Sequence, residues 1–141
     1  MEKAKQLSGA KWILVMDSED EARSNMRLML EQEGYKVCLA ANGDEAIDCY
    51  KEAHRCGYPF DAVIVDLHVP KGRSVHETIR SLFECDHRVK VIAMGGDVAD
   101  SFSEDIKHGD FKGVLKKPFT SGSLRQIVHN VISSESHYQW T

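Results

Sequence analysis

Five times along this 141-residue chain, a short β-branched apolar run is followed by a longer stretch with helical spacing. Parallel strands need a crossover of a dozen or more residues between them, so this alternation implies a parallel sheet wrapped by helices. The strand runs are Trp12–Met16, Lys36–Ala40, residues 61–65, residues 89–94 and Gly113–Lys116. The central ones are almost continuously hydrophobic, as strands covered on both faces must be. The pattern predicts an α/β fold with a doubly wound, five-stranded parallel sheet.

Ala22, Met26, Met29 and Leu30 recur at three- and four-residue spacing and predict a first helix over residues 19–33, stopped by Gly34. Ser18 and Glu21 have the S-x-x-E spacing of a capping box at its start. A second helix, over 44–56, turns Ala46, Ile47 and Tyr50 inward and ends at Gly57; a third, over 74–84, uses Val75, Thr78, Ile79, Leu82 and Phe83. The fourth lies within 98–108, where Phe102 and Ile106 are the only large apolar residues past Val98, so it is expected to be short or mobile. The fifth, Ser121–Ser133, carries Leu124, Ile127, Val128 and Val131. Residues 1–10 read as a flexible lead-in, 11–133 as one folded domain, and 134–141 as a loose tail bearing Tyr138 and Trp140.

Hydrophobic residues make up 42% of the chain and charged residues 28%, a composition that fits a soluble globular domain. The apolar runs fall far short of the ~20 residues that span a bilayer. The first residues, Met-Glu-Lys-Ala-Lys-Gln, precede no apolar stretch and form no secretory signal, so a cytoplasmic location is expected. Cys38, Cys49, Cys56 and Cys85 show no C-x-x-C pairing, which argues against zinc and disulfides and for reduced, mostly buried thiols. A net charge of −4 without a basic stripe argues against direct nucleic-acid binding, leaving proteins as the expected partners.

In open parallel sheets, ligands bind beyond the carboxyl ends of the strands. There the first strand delivers Asp17, followed by Ser18, Glu19 and Asp20; the third delivers Asp66; the fifth delivers Lys117 before Pro118. Taken singly, each has an ordinary explanation as a turn or helix-start residue. Together, two carboxylates with an ammonium beside them suit a divalent cation and a phosphoryl group. Mg²⁺ accepts one or two carboxylates plus waters and phosphate oxygens. A carboxylate flanked by positive charge can attack phosphorus, because that charge neutralises the equatorial oxygens.

The segments Ile13-Leu-Val-Met-Asp-Ser-Glu, Phe60-Asp-Ala-Val-Ile-Val-Asp66-Leu-His-Val-Pro70 and Val114-Leu-Lys-Lys117-Pro-Phe119 resemble the three signature stretches of response-regulator receiver domains. Gly34-Tyr35-Lys-Val and Ala41-Asn42-Gly43-Asp-Glu-Ala46 support the likeness, which covers about residues 11–133. The resemblance implies a flavodoxin-like strand order 2-1-3-4-5 and phosphorylation of Asp66 by a histidine kinase or histidine phosphotransfer protein. It further implies an Mg²⁺ pocket containing Asp17 and Asp66, a metal-facing backbone carbonyl at His68, and Lys117 paired with the phosphoryl group. Gly95 and Gly96 would form the loop facing that group, and Pro118 would follow a cis peptide. Catalysis would be limited to self-phosphotransfer and autodephosphorylation. The stretch from Leu67 to Ile79, and Phe111-Lys-Gly-Val114, resemble receivers that close some hybrid sensor histidine kinases. Whether this receiver stands alone or belongs to such a kinase stays open, as does self-association.

Three positions depart from the family's pattern. Ser18 stands where a second metal-binding acid is usual, although Glu19 or Asp20 would supply a nearby charge and the cap alone would explain a serine. Gly95 replaces the usual Ser or Thr, and Val114 the usual Tyr or Phe, so the side-chain pair of the standard relay is missing. His68 has two readings, a tuner of phosphate lifetime or an exposed loop imidazole, and Asp97 shares that ambiguity; His76 and His108 read as surface residues. These departures keep a second function in play, a degenerate receiver acting as a phosphorylation-independent interaction module. A flavodoxin-like cofactor binder is disfavoured, since Asp17-Ser-Glu-Asp would repel a phosphate where such proteins cradle one.

Overall fold

The computed structural model describes residues 9–68, 74–96 and 111–134. Within them lie β1 (Trp12–Met16), α1 (Asp20–Gln32), β2 (Lys36–Ala40), α2 (Gly43–Arg55), β3 (Ala62–Asp66), α3 (Val75–Cys85), β4 (Val91–Gly95), β5 (Gly113–Lys116) and α4 (Ser121–Ser133). The helix expected within 98–108 lies outside the described residues, as do Pro70, Asp97, His108, the lead-in up to residue 8 and the tail from residue 135. All strand pairs are parallel and the order is β2-β1-β3-β4-β5, the doubly wound arrangement expected.

Alternate residues of each strand feed opposite faces of the sheet. Leu14, Met16, Val63, Val65 and Ala93 pack with Tyr50, Ile79 and Leu82 on the face covered by α2 and α3. Ile13, Val15, Ile64, Ile92 and Met94 pack with Met26, Leu30, Leu124 and Val128 beneath α1 and α4. Every residue of β3 and β4 is buried, which explains the hydrophobic runs 62–65 and 91–94 that precede Asp66 and Gly95. Gly113 permits close seating of α4, since a Cβ there would lie 2.7 Å from Ile127 Cδ1 and 3.2 Å from Val131 Cγ2.

Element ends differ from expectation where side chains compete for the backbone. β3 starts at Ala62 because Asp61 serves as a bridge: its carboxylate accepts from the Trp12 amide at 2.7 Å. β4 starts at Val91, and Val89 is spent on a turn, donating to the Asp86 carbonyl at 3.1 Å. The Ser18–Glu21 capping box does not form. Glu19 occupies the N-cap without any side-chain cap, because Asp17 Oδ1 already takes the Glu19 amide at 2.9 Å and moves the helix start onward. Side-chain caps are instead built by Asn42 on α2, by Ser74 with Glu77 on α3, and by Thr120 with Ser123 on α4. Gly34 and Gly57 end α1 and α2 at φ of 91° and 89°, a conformation costly for any residue with a Cβ.

The four cysteines form no disulfide and are only half-buried, not mostly buried as expected; Cys38, Cys49 and Cys85 sit at the margin of the core beneath α2 and α3. Among the described residues, no helix is long and apolar enough to cross a membrane.

Candidate functional site

Parallel register brings the expected residues to one edge of the sheet. Met16 pairs with Val65 across β1 and β3, so Asp17 and Asp66 emerge side by side. Gly95 pairs with Lys116, and the Lys117 amide extends that ladder by donating to the Gly95 carbonyl at 3.0 Å. Lys117 Nζ then lies 3.6 Å from Asp17 Oδ2 and 3.7 Å from Asp66 Oδ1. Asp17 is wholly buried, Asp66 is 3% exposed, and the Lys117 side chain is 33% exposed. The peptide bond between Lys117 and Pro118 is cis.

Asp17 is clamped at three of its polar atoms. Its amide donates to the Ala40 carbonyl at 3.0 Å, its Oδ1 accepts from the Glu19 amide at 2.9 Å, and its carbonyl accepts from the Arg23 guanidinium at 2.7 Å. The remaining oxygen, Oδ2, is buried and accepts no hydrogen bond from the described residues. An anionic oxygen in that position is costly unless something positive or hydrogen-bonding meets it. Lys117 supplies part of this charge from the open side.

Asp66 is held differently, through its Oδ1, which accepts from the His68 amide at 3.0 Å. Burial pushes the Asp66 carboxyl above its ordinary range, and the charge of Asp17 pushes the same way, against the opposing pull of the His68 amide and Lys117. Among the described residues, two carboxylates share one ammonium, which leaves negative charge in excess. Their donor chemistry fits a small hard cation such as Mg²⁺, with Asp17 Oδ2 as the oxygen lacking a partner. No group of three or more His, Cys, Asp or Glu side chains able to hold a metal occurs among the described residues, so further donors would be neutral oxygens or water.

The remaining candidates surround this trio. Ser18 is half-buried and caps nothing, so the structural role expected of it is absent. Neither neighbouring acid fills the cleft in its place: Glu19 is exposed, and Asp20, with its side chain 93% exposed, is ion-paired to Arg23. His68 is exposed, and its backbone is tied to Asp66 through the amide. Gly95 ends β4 in a buried position, and Gly96 follows it exposed. Val114 is half-buried and packs toward the core beneath α2 and α3. His76 is at the surface, as expected. Sequence reasoning overlooked Arg23, whose only signal was its spacing of three residues from Asp20 on a helix start.

The family model of the response regulator receiver domain matches residues 13–129. The sensor kinase CckA of Brucella abortus is 29% identical over 137 residues, covering 96% of this chain but only 14% of that kinase. A receiver domain from Clostridium thermocellum superposes with a TM-score of 0.76 at 28% identity, over 86% of this chain and 94% of its own. The receiver domain of a Pseudomonas aeruginosa sensor histidine kinase, with magnesium in its active site cleft, gives a TM-score of 0.77 at 23% identity, over 89% and 99%.

Proposed function

This chain belongs to the response regulator receiver domains of two-component signalling, and from that premise we propose that it accepts a phosphoryl group on Asp66 from a phosphohistidine donor. The observation that carries the reading is the pair of buried carboxylates from adjacent strands facing one ammonium, with Asp17 Oδ2 unsatisfied. The donor would be a histidine kinase or a histidine phosphotransfer protein. The small fraction of the Brucella kinase that this chain spans supports a receiver working within or beside such a kinase.

In the transfer, a carboxylate oxygen of Asp66 forms the new P–O bond while the P–N bond to the donor imidazole breaks. The bonding pair leaves with the nitrogen, which takes a proton from solvent. Burial raises the energy of the Asp66 charge and so favours its use as a nucleophile, while the His68 amide fixes the orientation of the carboxylate. Lys117 Nζ, 3.7 Å away and partly exposed, is placed to meet the negative charge of the incoming phosphoryl group. Asp17 and Asp66, with the His68 carbonyl, would hold Mg²⁺, which when bound neutralises phosphoryl oxygens; the magnesium in the cleft of the Pseudomonas receiver supports this choice of ion. The chemistry ends with transfer onto Asp66 and loss of the group to water.

Intact-mass measurement after incubation with acetyl phosphate and Mg²⁺ tests the reading. One phosphoryl group should add to the wild type and none to Asp66→Asn. A variant that still gains the mass refutes the assignment of the site. A wild type that gains none refutes the function, in favour of an interaction module that works without phosphorylation.

A further inference from the structure

We propose that Arg23 is a positioning residue for the acidic pocket, holding Asp17 so that its Oδ2 stays presented to the cation. The inference rests on the phosphoacceptor reading above.

Arg23 lies in the first turn of α1, and its side chain is only 15% exposed. One guanidinium nitrogen donates to the Asp17 main-chain carbonyl at 2.7 Å, and the other terminal nitrogen pairs with Asp20. The guanidinium thus bridges the loop after β1 to the helix that follows. Asp17 has one other main-chain hydrogen bond, through its amide to Ala40; its side chain accepts from the Glu19 amide through Oδ1 and faces Lys117 Nζ through Oδ2 at 3.6 Å. Without Arg23, the peptide linking Asp17 to Ser18 loses its side-chain anchor and can rotate, carrying the Glu19 amide away from Oδ1. The carboxylate would then turn, and its buried, unsatisfied oxygen would leave the cleft.

The pocket is sensitive to such movement because, among the described residues, it has no third carboxylate: Ser18 is neutral and Asp20 is engaged by Arg23 itself. With two anionic ligands in place of three, misplacing one removes half of the charge that attracts a cation. Arg23 also carries positive charge, which by itself opposes cation binding. The two roles predict opposite signs. Loss of a charge weakens repulsion and tightens binding, whereas loss of the anchor weakens binding. The guanidinium charge is already balanced by Asp20, so the anchor decides the outcome.

The test is a titration of the whole protein with MgCl₂ alone, followed by the amide NMR shifts of Asp66, Gly95 and Gly96. Wild type, Arg23→Met and Arg23→Lys are compared, with thermal melting as a check of the fold. Met keeps the apolar stem but loses donor and charge, and should raise the half-saturating Mg²⁺ concentration about tenfold, as befits one lost hydrogen bond from a charged donor. Lys retains one donor and should stay within about threefold of wild type. In phosphorylation by acetyl phosphate, Arg23→Met should recover the wild-type rate at saturating Mg²⁺, with the donor KM unchanged. Equal or tighter Mg²⁺ binding by Arg23→Met overturns the inference and leaves the phosphoacceptor reading standing. If the wild type shows no Mg²⁺-dependent shifts at these amides, the pocket itself has been misread and both fall.

Discussion

Replacing Asp66 by asparagine should make the folded protein more stable at pH 7 while leaving it unchanged near pH 3. Asparagine keeps the shape of the side chain and the oxygen that accepts the His68 amide, so the comparison isolates the charge. At an effective dielectric constant of about 20, Lys117 Nζ, 3.7 Å away, attracts that charge by about 4.5 kcal/mol. The Asp17 and Asp66 oxygens that face this Nζ are at most about 7 Å apart, which gives a repulsion of at least about 2.3 kcal/mol. Removing the carboxylate from water costs several kcal/mol more. Desolvation and repulsion together outweigh attraction, as the raised Asp66 pKa requires. Deleting the charge should therefore stabilise the protein at neutral pH.

The sign with pH follows from proton binding. A folded-state pKa above the unfolded value of about 3.9 means that the native protein holds the proton more tightly. The penalty on the wild type therefore begins as pH rises past the unfolded value and is complete above the folded one. Below about 3.9 both states carry the proton, and the two proteins should coincide. Urea unfolding of both at pH 7 and at pH 3 measures the difference. A variant less stable than wild type at pH 7, or a gap that persists at pH 3, would show that Lys117 dominates the cleft and that this balance is wrong.

Two further outcomes follow from the geometry. Ser18→Asp should tighten Mg²⁺ binding on the order of tenfold by restoring a charged ligand, and, because Ser18 caps nothing, it should leave the melting of α1 unaffected; unchanged Mg²⁺ affinity by titration would place residue 18 outside the pocket. Gly113→Ala should cost about 1–3 kcal/mol in urea unfolding, since its Cβ meets Ile127 and the stiff Val131 at 2.7 and 3.2 Å; a neutral result would mean that α4 can shift outward without loss.

The sequence made the strands legible where hydrophobic runs met plain stops: β1, β2, β5 and α4 fall at the residues expected. It misled where a side chain competes for the backbone. Asp17 displaces Ser18 at the start of α1 by taking the Glu19 amide, and S-x-x-E spacing cannot reveal which oxygen reaches that amide first. The convergence of Asp17, Asp66 and Lys117 was legible because parallel pairing sends the carboxyl ends of all strands to one edge. Arg23 was not, because it acts on a main-chain carbonyl, and every residue has one.

The absence of a hydroxyl at Gly95 and of a ring at Val114 bears on how a phosphoryl group on Asp66 would be felt elsewhere. Val114 is β-branched and packed at the margin of the core, so rotation of its side chain offers little movement to transmit. The main chain is better connected. Lys117 Nζ faces Asp66, the Lys117 amide is bonded to the Gly95 carbonyl, and a Cβ on Gly96 would stand 3.7 Å from the Lys117 carbonyl. That last distance is an ordinary contact, so packing against the described residues does not demand glycine at 96. A phosphoryl group adding about −1.5 to −2 of charge would draw Lys117 away from Asp17, and the backbone tie would carry the end of β4 with it. In this receiver, therefore, the lysine placed to meet a phosphoryl group on Asp66 would also be the residue whose main chain is tied to the end of β4.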